Sequence, residues 1–262
     1  MFGTTFIEIC AGSAEDVVTA CRFPIDRIEL NSALELGGLS PSLSVLRFAK
    51  AHTGIPVICM VRPRAAGFVY SDIEYEIMHE DAERFLNNGA DGIVFGFLNP
   101  DHTVDSARTA SLANLSHSYG KEAVFHRAFD LTADPFAAGK TLIDCHIDRV
   151  LTSGHKPNAL SGAPLIKELK ERFEPALSIL PGAGINQKTV LPLLQATQTG
   201  QIHMTAKSMR NDDGEYPAAD ARNLQSVLSI LRTHSASALS SVLTREDDEM
   251  LGMEHYERSL IE

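Results

Sequence analysis

Short apolar runs alternate with longer amphipathic segments along most of the chain. Each run ends in small or polar residues, and the segment that follows it has helical character. The eight runs lie at 5–10, 26–31, 55–62, 89–96, 123–127, 149–154, 179–185 and 201–207. Strands that alternate with helices in this way predict an α/β fold, and we expect a single TIM-like (β/α)8 barrel. A doubly wound open sheet is the alternative, but no GxGxxG motif follows the first run.

Helix-capping residues mark where several of the intervening helices begin. Ser13 is a predicted N-cap, and Ser71 or Asp72 caps an acidic helix that runs to about Asn88. Pro41 marks the start of the second helix, because proline is favoured in a first helical turn. Later helices are predicted at about 105–119, from 135 onward, and at about 159–172, 186–198 and 218–234.

The length of the chain fits one barrel with a short extension. The 262 residues are close to the roughly 250 of a typical (β/α)8 barrel, and a hydrophobic content of 44% supports a globular protein. We assign 1–234 to the barrel, and 235–262 to a Ser-rich linker and a C-terminal helix. We expect this helix to dock on the barrel or on a second subunit.

Charge and cysteine usage narrow the expected partners and compartment. A formal net charge of -11 argues against nucleic acid, and no apolar stretch approaches the ~18 residues that would span a membrane. We expect no secretory signal, because no basic start precedes an apolar segment at the N-terminus. The four widely spaced cysteines favour reduced thiols in the cytoplasm over a disulfide framework.

The first two strands carry charged residues on one face. Outward-facing residues of a parallel barrel pack under helices and are apolar, so the polar face must point inward. Buried charges are costly unless they are paired or functional. We therefore expect polar side chains to converge at the C-terminal mouth of the barrel. They are Glu8, Cys10, Arg27, Glu29, Asn31, Arg62, Arg64, His126, Arg127, Asp130, Thr152, Ser153, His203 and Thr205.

These side chains support two interpretations, a structural network of ion pairs or a functional pocket. Buried ion pairs stabilise a fold weakly compared with apolar packing, which favours the pocket. His126 is either a core histidine held by a carboxylate or a group for proton transfer or metal ligation, and His203 is equally open. The candidate catalytic residues are Glu8, Arg27, Glu29, His126 and Asp130.

A cationic set of residues predicts an anion site in the same mouth. Gly182 and Gly184 are expected to open the seventh helix, and Lys207 follows the eighth strand. Barrels often bind phosphate or carboxylate between these two loops, although the glycines could simply permit a tight turn. The candidate ligand-binding residues are Arg62, Arg64, Arg127, Ser153, Gly182, Gly184 and Lys207.

Several motifs together resemble the CutC copper-homeostasis family over roughly residues 5–210. They are Glu8-Ile-Cys10, Arg27-Ile-Glu-Leu30, Gly37-Gly-Leu-Ser-Pro41, Arg62-Pro-Arg64, Phe68-Val-Tyr-Ser-Asp72, Asp91-Gly-Ile-Val-Phe-Gly96, Phe125-His-Arg-Ala-Phe-Asp130 and Asp148-Arg-Val-Leu-Thr-Ser-Gly154. The resemblance implies a TIM-like barrel, a cytoplasmic location, a homo-oligomer and a role in copper binding or tolerance.

The chain departs from the family pattern at a residue that matters for copper. Many members of the family have a cysteine where Asn31 stands, and the resemblance makes that cysteine the natural Cu(I) partner of Cys10. Cys59 has the strand parity of outward residues, so we expect it to face the helices. Cu(I) prefers thiolate and thioether ligands. The candidate metal ligands are then Cys10, His126 and His203, with Met60 nearby.

Two functions follow from the sequence. The first is a CutC-type copper-homeostasis protein that binds Cu(I) in the mouth of the barrel. The second is an enzyme with proton-transfer, isomerase or lyase chemistry on a small anionic or phosphorylated, sugar-like substrate, with carboxylates and His126 moving protons. Barrel architecture alone does not choose between them.

Overall fold

The computed structural model describes residues 5–234. The linker and C-terminal helix expected at 235–262 lie outside the described residues. Eight parallel strands form one sheet in the order β7-β6-β5-β4-β3-β2-β1-β8. They are β1 (Phe6–Ala11), β2 (Arg27–Leu30), β3 (Val57–Met60), β4 (Gly92–Phe95), β5 (Glu122–Phe125), β6 (Arg149–Thr152), β7 (Ser178–Pro181) and β8 (Gln201–Met204). A parallel bridge between Gly182 and His203 joins the two ends of the sheet, which confirms the TIM-like barrel.

The helices lie outside the barrel, close to where the capping residues predict them. They are α1 (Ala14–Ala20), α2 (Leu43–His52), α3 (Asp72–Asn87), α4 (Ser106–Ser118), α5 (Pro135–Asp144), α6 (Ala163–Phe173), α7 (Val190–Thr197) and α8 (221–234). Ser13 and Ser71 are N-caps as predicted, and Ser71 forms a capping box with Glu74. Pro41 precedes α2, whose N-cap is Ser42. No described helix has the length and apolar content needed to cross a membrane.

A two-stranded antiparallel hairpin follows the barrel and was not predicted. Its strands are β9 (Lys207–Asn211) and β10 (Glu215–Ala219), and it lies between β8 and α8. Four of the five residues of β9 are exposed, and in β10 only the last two residues are buried, so the hydrophobic pattern carried little signal there. The eighth strand therefore ends at Met204, and the last helix begins at 221 instead of 218.

Apolar residues fill the space between the barrel and the helices, whereas polar residues fill much of the barrel interior. Outward-facing Ile9, Ile28 and Cys59 belong to the large buried cluster under the helices, as expected for Cys59. The interior apolar cluster among the described residues is small and consists of Ile58, Met60, Val94 and Val124. Inward-facing polar residues take up the remaining positions, as the alternation in β1 and β2 predicts.

Candidate functional site

The carboxyl ends of the strands surround a cavity of about 820 Å³. Nine of the fourteen candidate catalytic, ligand-binding and metal-binding residues line it, together with Asn31 and Thr205 from the wider set expected at the mouth. The nine come from separate strands and loops. They are Cys10, Glu29, Arg62, His126, Arg127, Asp130, Gly184, His203 and Lys207. Met60 and Phe68 also line it. From the sequence, Met60 is only a neighbour of the candidate metal ligands, and Phe68 is only part of one of the motifs that carry the family resemblance.

Glu8 and Arg27 lie below this cavity instead of lining it. Arg27 donates to Glu8 and to Glu122, and Arg149 donates to Glu122 over 2.9 Å. Arg27 precedes Glu29 by two residues, which places it about 6–7 Å lower along the strand. Burial by itself raises the pKa of Glu8, but the Arg27 charge and a hydrogen bond from His203 lower it to about 2. These charges form a structural network at the floor of the site.

Three other predicted residues stand apart from the cavity lining. Arg64 pairs with Glu74 and stacks over Tyr70. Ser153 binds the carboxylate of Asp130. A Cβ atom at Gly182 would lie 2.6 Å from Cδ1 of Leu151, so the glycine lets this side chain pack closely against the backbone.

The turn at Gly184 does not open the seventh helix directly. That helix begins at Val190, because Asn186 and Thr189 first form a hydrogen-bonded loop.

Cys10, Glu29 and His203 form a compact cluster of potential metal ligands. Their donor atoms all lie within 4.8 Å of one another, and all three side chains are buried. Strand register explains this proximity, since Cys10 is the partner of Glu29 across β1 and β2, and Glu8 is the partner of His203 across β1 and β8. The structure thus brings two predicted ligands together and adds Glu29, which the sequence had suggested as a catalytic group.

Hydrogen bonds hold this cluster and leave ligand atoms free. Asn31 donates to a Glu29 carboxylate oxygen over 2.8 Å and to the Cys10 sulfur over 3.3 Å. The other Glu29 oxygen, Oε2, is buried and has no hydrogen-bond partner among the described residues. His203 uses Nδ1 to bind Glu8 over 2.6 Å, so its Nε2 is the nitrogen left for a ligand. A carboxylate behind a histidine is the usual support of a metal-binding imidazole.

Burial and mutual charge make the cluster retain protons. Burial raises the pKa of the Cys10 thiol well above its usual range, and the Glu29 charge adds to this effect. Burial likewise raises the pKa of Glu29. Burial lowers the pKa of His203, but Glu29 and Glu8 outweigh it, so the pKa of His203 is raised. A bound cation would replace these protons, because metal ligands must be deprotonated.

His126 lies at the end of β5, four strands from β1 and therefore across the barrel from the cluster. Its Nδ1 accepts a hydrogen bond from the Ala128 amide over 3.1 Å, which places the ring proton on Nε2. Burial and the Arg62 charge lower the pKa of His126 to about 3. A neutral imidazole with Nε2 protonated is a hydrogen-bond donor. Position across the barrel and this protonation state therefore both distinguish His126 from the two predicted metal ligands, Cys10 and His203.

Positively charged and loop-anchoring groups complete the mouth. Arg62 is buried and donates to the carbonyls of Gly37, Gly38 and Ala66. Arg127 pairs with Asp130 over 2.8 Å. The carboxylate of Asp130 also accepts from Thr152 and Ser153, so it anchors the loop after β6, while exposed Lys207 lies at the rim.

Comparisons with known proteins agree on one family. The CutC family model matches residues 5–208. A CutC family protein of Treponema denticola is 49% identical over 79% of this chain and 83% of its own length. The copper homeostasis protein cutC homolog of Homo sapiens is 41% identical over 78% of this chain and 74% of its own.

Solved structures match the same fold. The crystal structure of CutC from Streptococcus agalactiae has a TM-score of 0.72 and 30% identity, and the match covers 77% of this chain and 98% of the other. The aldolase QR15 has a TM-score of 0.57 at 14% identity, over 78% of this chain and 92% of its own. At that identity the second likeness shows the fold alone.

Proposed function

The chain belongs to the CutC family of copper-homeostasis proteins, and we propose that it binds one copper ion through Cys10, Glu29 and His203. The observation that carries this proposal is the proximity of the three buried donor atoms, all within 4.8 Å of one another. Strands β1, β2 and β8 are neighbours in the sheet, so all three ligands lie on hydrogen-bonded strands whose backbone is rigid. Such a site is held in place before the ion arrives.

The donor set suits copper. A thiolate from Cys10 and an imidazole from His203 are ligands that copper accepts, and the thioether of Met60 lines the same cavity. The unpartnered Oε2 of Glu29 is a buried oxygen that a cation would satisfy. Asn31, which stands where the family resemblance implies a cysteine, holds Cys10 and Glu29 by hydrogen bonds and thus supports the ligands without being one.

A competition titration of the metal-free protein with Cu(I) under anaerobic conditions tests this proposal. We expect one ion per chain, and we expect Cys10→Ser to weaken binding by about 100-fold or more, beyond the effect of losing a supporting residue. Cys21→Ser is the matched control, because Cys21 is a half-buried thiol outside the cluster. Binding that is micromolar or weaker and unchanged by Cys10→Ser would remove the proposal.

We also propose a cytoplasmic location and self-association. All four cysteines are free thiols, which fits a reducing compartment. Ile73 and Ile77 are one turn apart on α3 and are 71% and 47% exposed, and Val69 just before the helix is 46% exposed. An apolar patch of this kind favours contact with a second copy of the chain. Light scattering should show an oligomer that Ile73→Asp weakens, and a monomeric wild-type protein would oppose this proposal.

The size of the cavity favours a second function, catalysis on a small anionic or sugar-like molecule. A volume of about 820 Å³ is far larger than one ion needs and is within the ~300–1,000 Å³ range of small-molecule sites. Glu29 would exchange protons with such a substrate, and His126, a neutral imidazole, would act as a hydrogen-bond donor to it. A thermal-shift screen against small anions, with Glu29→Gln as the comparison, tests this function. Absence of any stabilising compound in a broad panel would count against it.

A further inference from the structure

Arg62 is a buried cation without a carboxylate partner among the described residues. It is 6% exposed, and both of its terminal nitrogens donate to backbone carbonyls, at 2.9 Å to Gly38 and 2.9 Å to Ala66. Carbonyls are neutral, so the charge of the guanidinium is not neutralised. Five other arginines, namely Arg27, Arg64, Arg108, Arg127 and Arg149, each pair with an acidic side chain.

Two N–H groups at this place have no acceptor in the described part of the chain. The Nε of Arg62 and the Nε2 of His126 are both buried and unpartnered. Both side chains line the cavity, and both pack on Phe68. The guanidinium carbon of Arg62 lies 5.1 Å from the centre of the Phe68 ring, and the centre of the His126 ring lies 4.7 Å from it. Because Nδ1 of His126 accepts from Ala128, its Nε2 can only donate while the ring is neutral.

We propose that Arg62 and His126 form an oxyanion subsite that binds the carboxylate or phosphate group of a small molecule in the cavity. One unneutralised cation and two donors without acceptors call for an anionic acceptor, and a metal ion would be repelled. The hydroxyl of Tyr70 lies within reach of Arg62: burial raises the pKa of Tyr70, and the charge of Arg62 and a hydrogen bond to it partly lower it again. This hydroxyl is neutral and does not balance the charge of the guanidinium. Arg127 and Lys207 line the same cavity and add attraction for an anion.

The loop around Arg62 shows what its other nitrogens do. The carbonyls of Gly37, Gly38 and Ala66 hold the guanidinium plane fixed, with Gly37 and Gly38 at left-handed φ values of 87° and 86°. These hydrogen bonds occupy both terminal nitrogens of Arg62, whereas Nε takes part in none of them. The subsite deepens the second function proposed above, since it names the chemical group by which a substrate would be held, and it is independent of copper.

Calorimetry on protein treated with a chelator tests the subsite without a metal present. The probes are inorganic phosphate and glycerol 3-phosphate for a phosphate group, pyruvate for a carboxylate, and glycerol as the uncharged comparison. We expect one of the two anionic classes to bind and glycerol not to bind. The class that binds identifies the anionic group. If no anionic probe binds more tightly than glycerol, the proposal is overturned.

Variants locate the binding. His126→Phe keeps the ring and its packing on Phe68 but removes the donor, and we expect affinity to fall by about tenfold or more. Arg62→Lys keeps the charge and removes the Nε donor, and we expect a similar loss. Arg64→Gln is the matched control, because Arg64 lies on the same loop, pairs with Glu74 and does not line the cavity.

The outcome is separable from the copper proposal. His126→Phe should bind Cu(I) as the wild-type protein does, which also shows that the variant is folded. Anion affinity in His126→Phe equal to that of the wild-type protein and of Arg64→Gln would overturn the subsite, whatever the copper result. The His126→Phe measurement tests the subsite even if Arg62→Lys fails to fold, because His126 lies outside the Arg62 loop.

Discussion

Gly96 lies against the ring of His126 and leaves room for it. Adding a single methyl group at this position tests the geometry of the site. A Cβ atom at this position would lie 2.6 Å from both Cε1 and Nδ1 of the His126 ring and 3.0 Å from the Cβ of Ala128. Ordinary contact begins at 3.4 Å, so in Gly96→Ala the ring must move. The ring is 3% exposed and packs against Phe68 and Phe125, which leaves it little room.

The cost of Gly96→Ala follows from that crowding. Overpacking a buried site costs about 1–3 kcal/mol, and displacement of the ring also weakens the hydrogen bond from the Ala128 amide, which contributes about 1 kcal/mol. We therefore expect a loss of about 2–3 kcal/mol in the free energy of unfolding, measured by urea denaturation. We also expect the NMR signals of the His126 ring to shift.

Gly54→Ala is the control for this substitution. Gly54 is exposed, and no atom lies within 4 Å of the Cβ position. Replacing such a glycine changes stability by about 1 kcal/mol or less, usually upward. If Gly96→Ala is as stable as Gly54→Ala and the His126 signals do not change, the packing described around His126 is wrong.

Three further predictions concern charges and ligands. The pKa of Glu8 is lowered from 4.5 to about 2, so its charge should add about 3 kcal/mol of stability that is present above pH 4.5 and lost as pH falls toward 2. The free energy of unfolding of Glu8→Gln, measured as pH is lowered, should not show this pH dependence. Glu83→Gln, a substitution at an exposed position, should show it as the wild-type protein does. Asp130→Asn should cost about 2–3 kcal/mol in urea denaturation because charged acceptors are lost at the loop after β6, and a change below 0.5 kcal/mol (about the scatter of neutral surface substitutions) would oppose this. Asn31→Cys should tighten Cu(I) binding by about tenfold or more in the competition titration, and unchanged affinity would count against Cys10 as a ligand.

The sequence was sufficient to predict the barrel because its signal is repeated. Each strand is apolar on the face that packs under the helices, and residues such as Ser13 and Ser71 mark where helices begin. The alternation in β1 and β2 also predicted which residues point inward. The β9–β10 hairpin gave no comparable signal, because β9 is almost entirely exposed and only the last two residues of β10 are buried.

The depth and grouping of the site residues could not be read from one strand at a time. Arg27 and Glu29 share a face, but the register between β1 and β2 is needed to show that Glu29 meets Cys10. The closed barrel is needed to show that the Arg27 side chain reaches Glu122 on β5. His203 joins them because β8 lies beside β1 in the closed barrel, a pairing between opposite ends of the chain. The tautomer of His126 depends on one amide, that of Ala128, which no residue pattern reveals.

X-ray absorption at the copper edge of the loaded protein tests the copper site most directly. The proposal predicts a spectrum with sulfur from Cys10 and lighter atoms from His203 and Glu29, and it predicts that the Cys10 contribution disappears in Cys10→Ser. A loaded protein whose copper environment is the same in the wild type and in Cys10→Ser would contradict it.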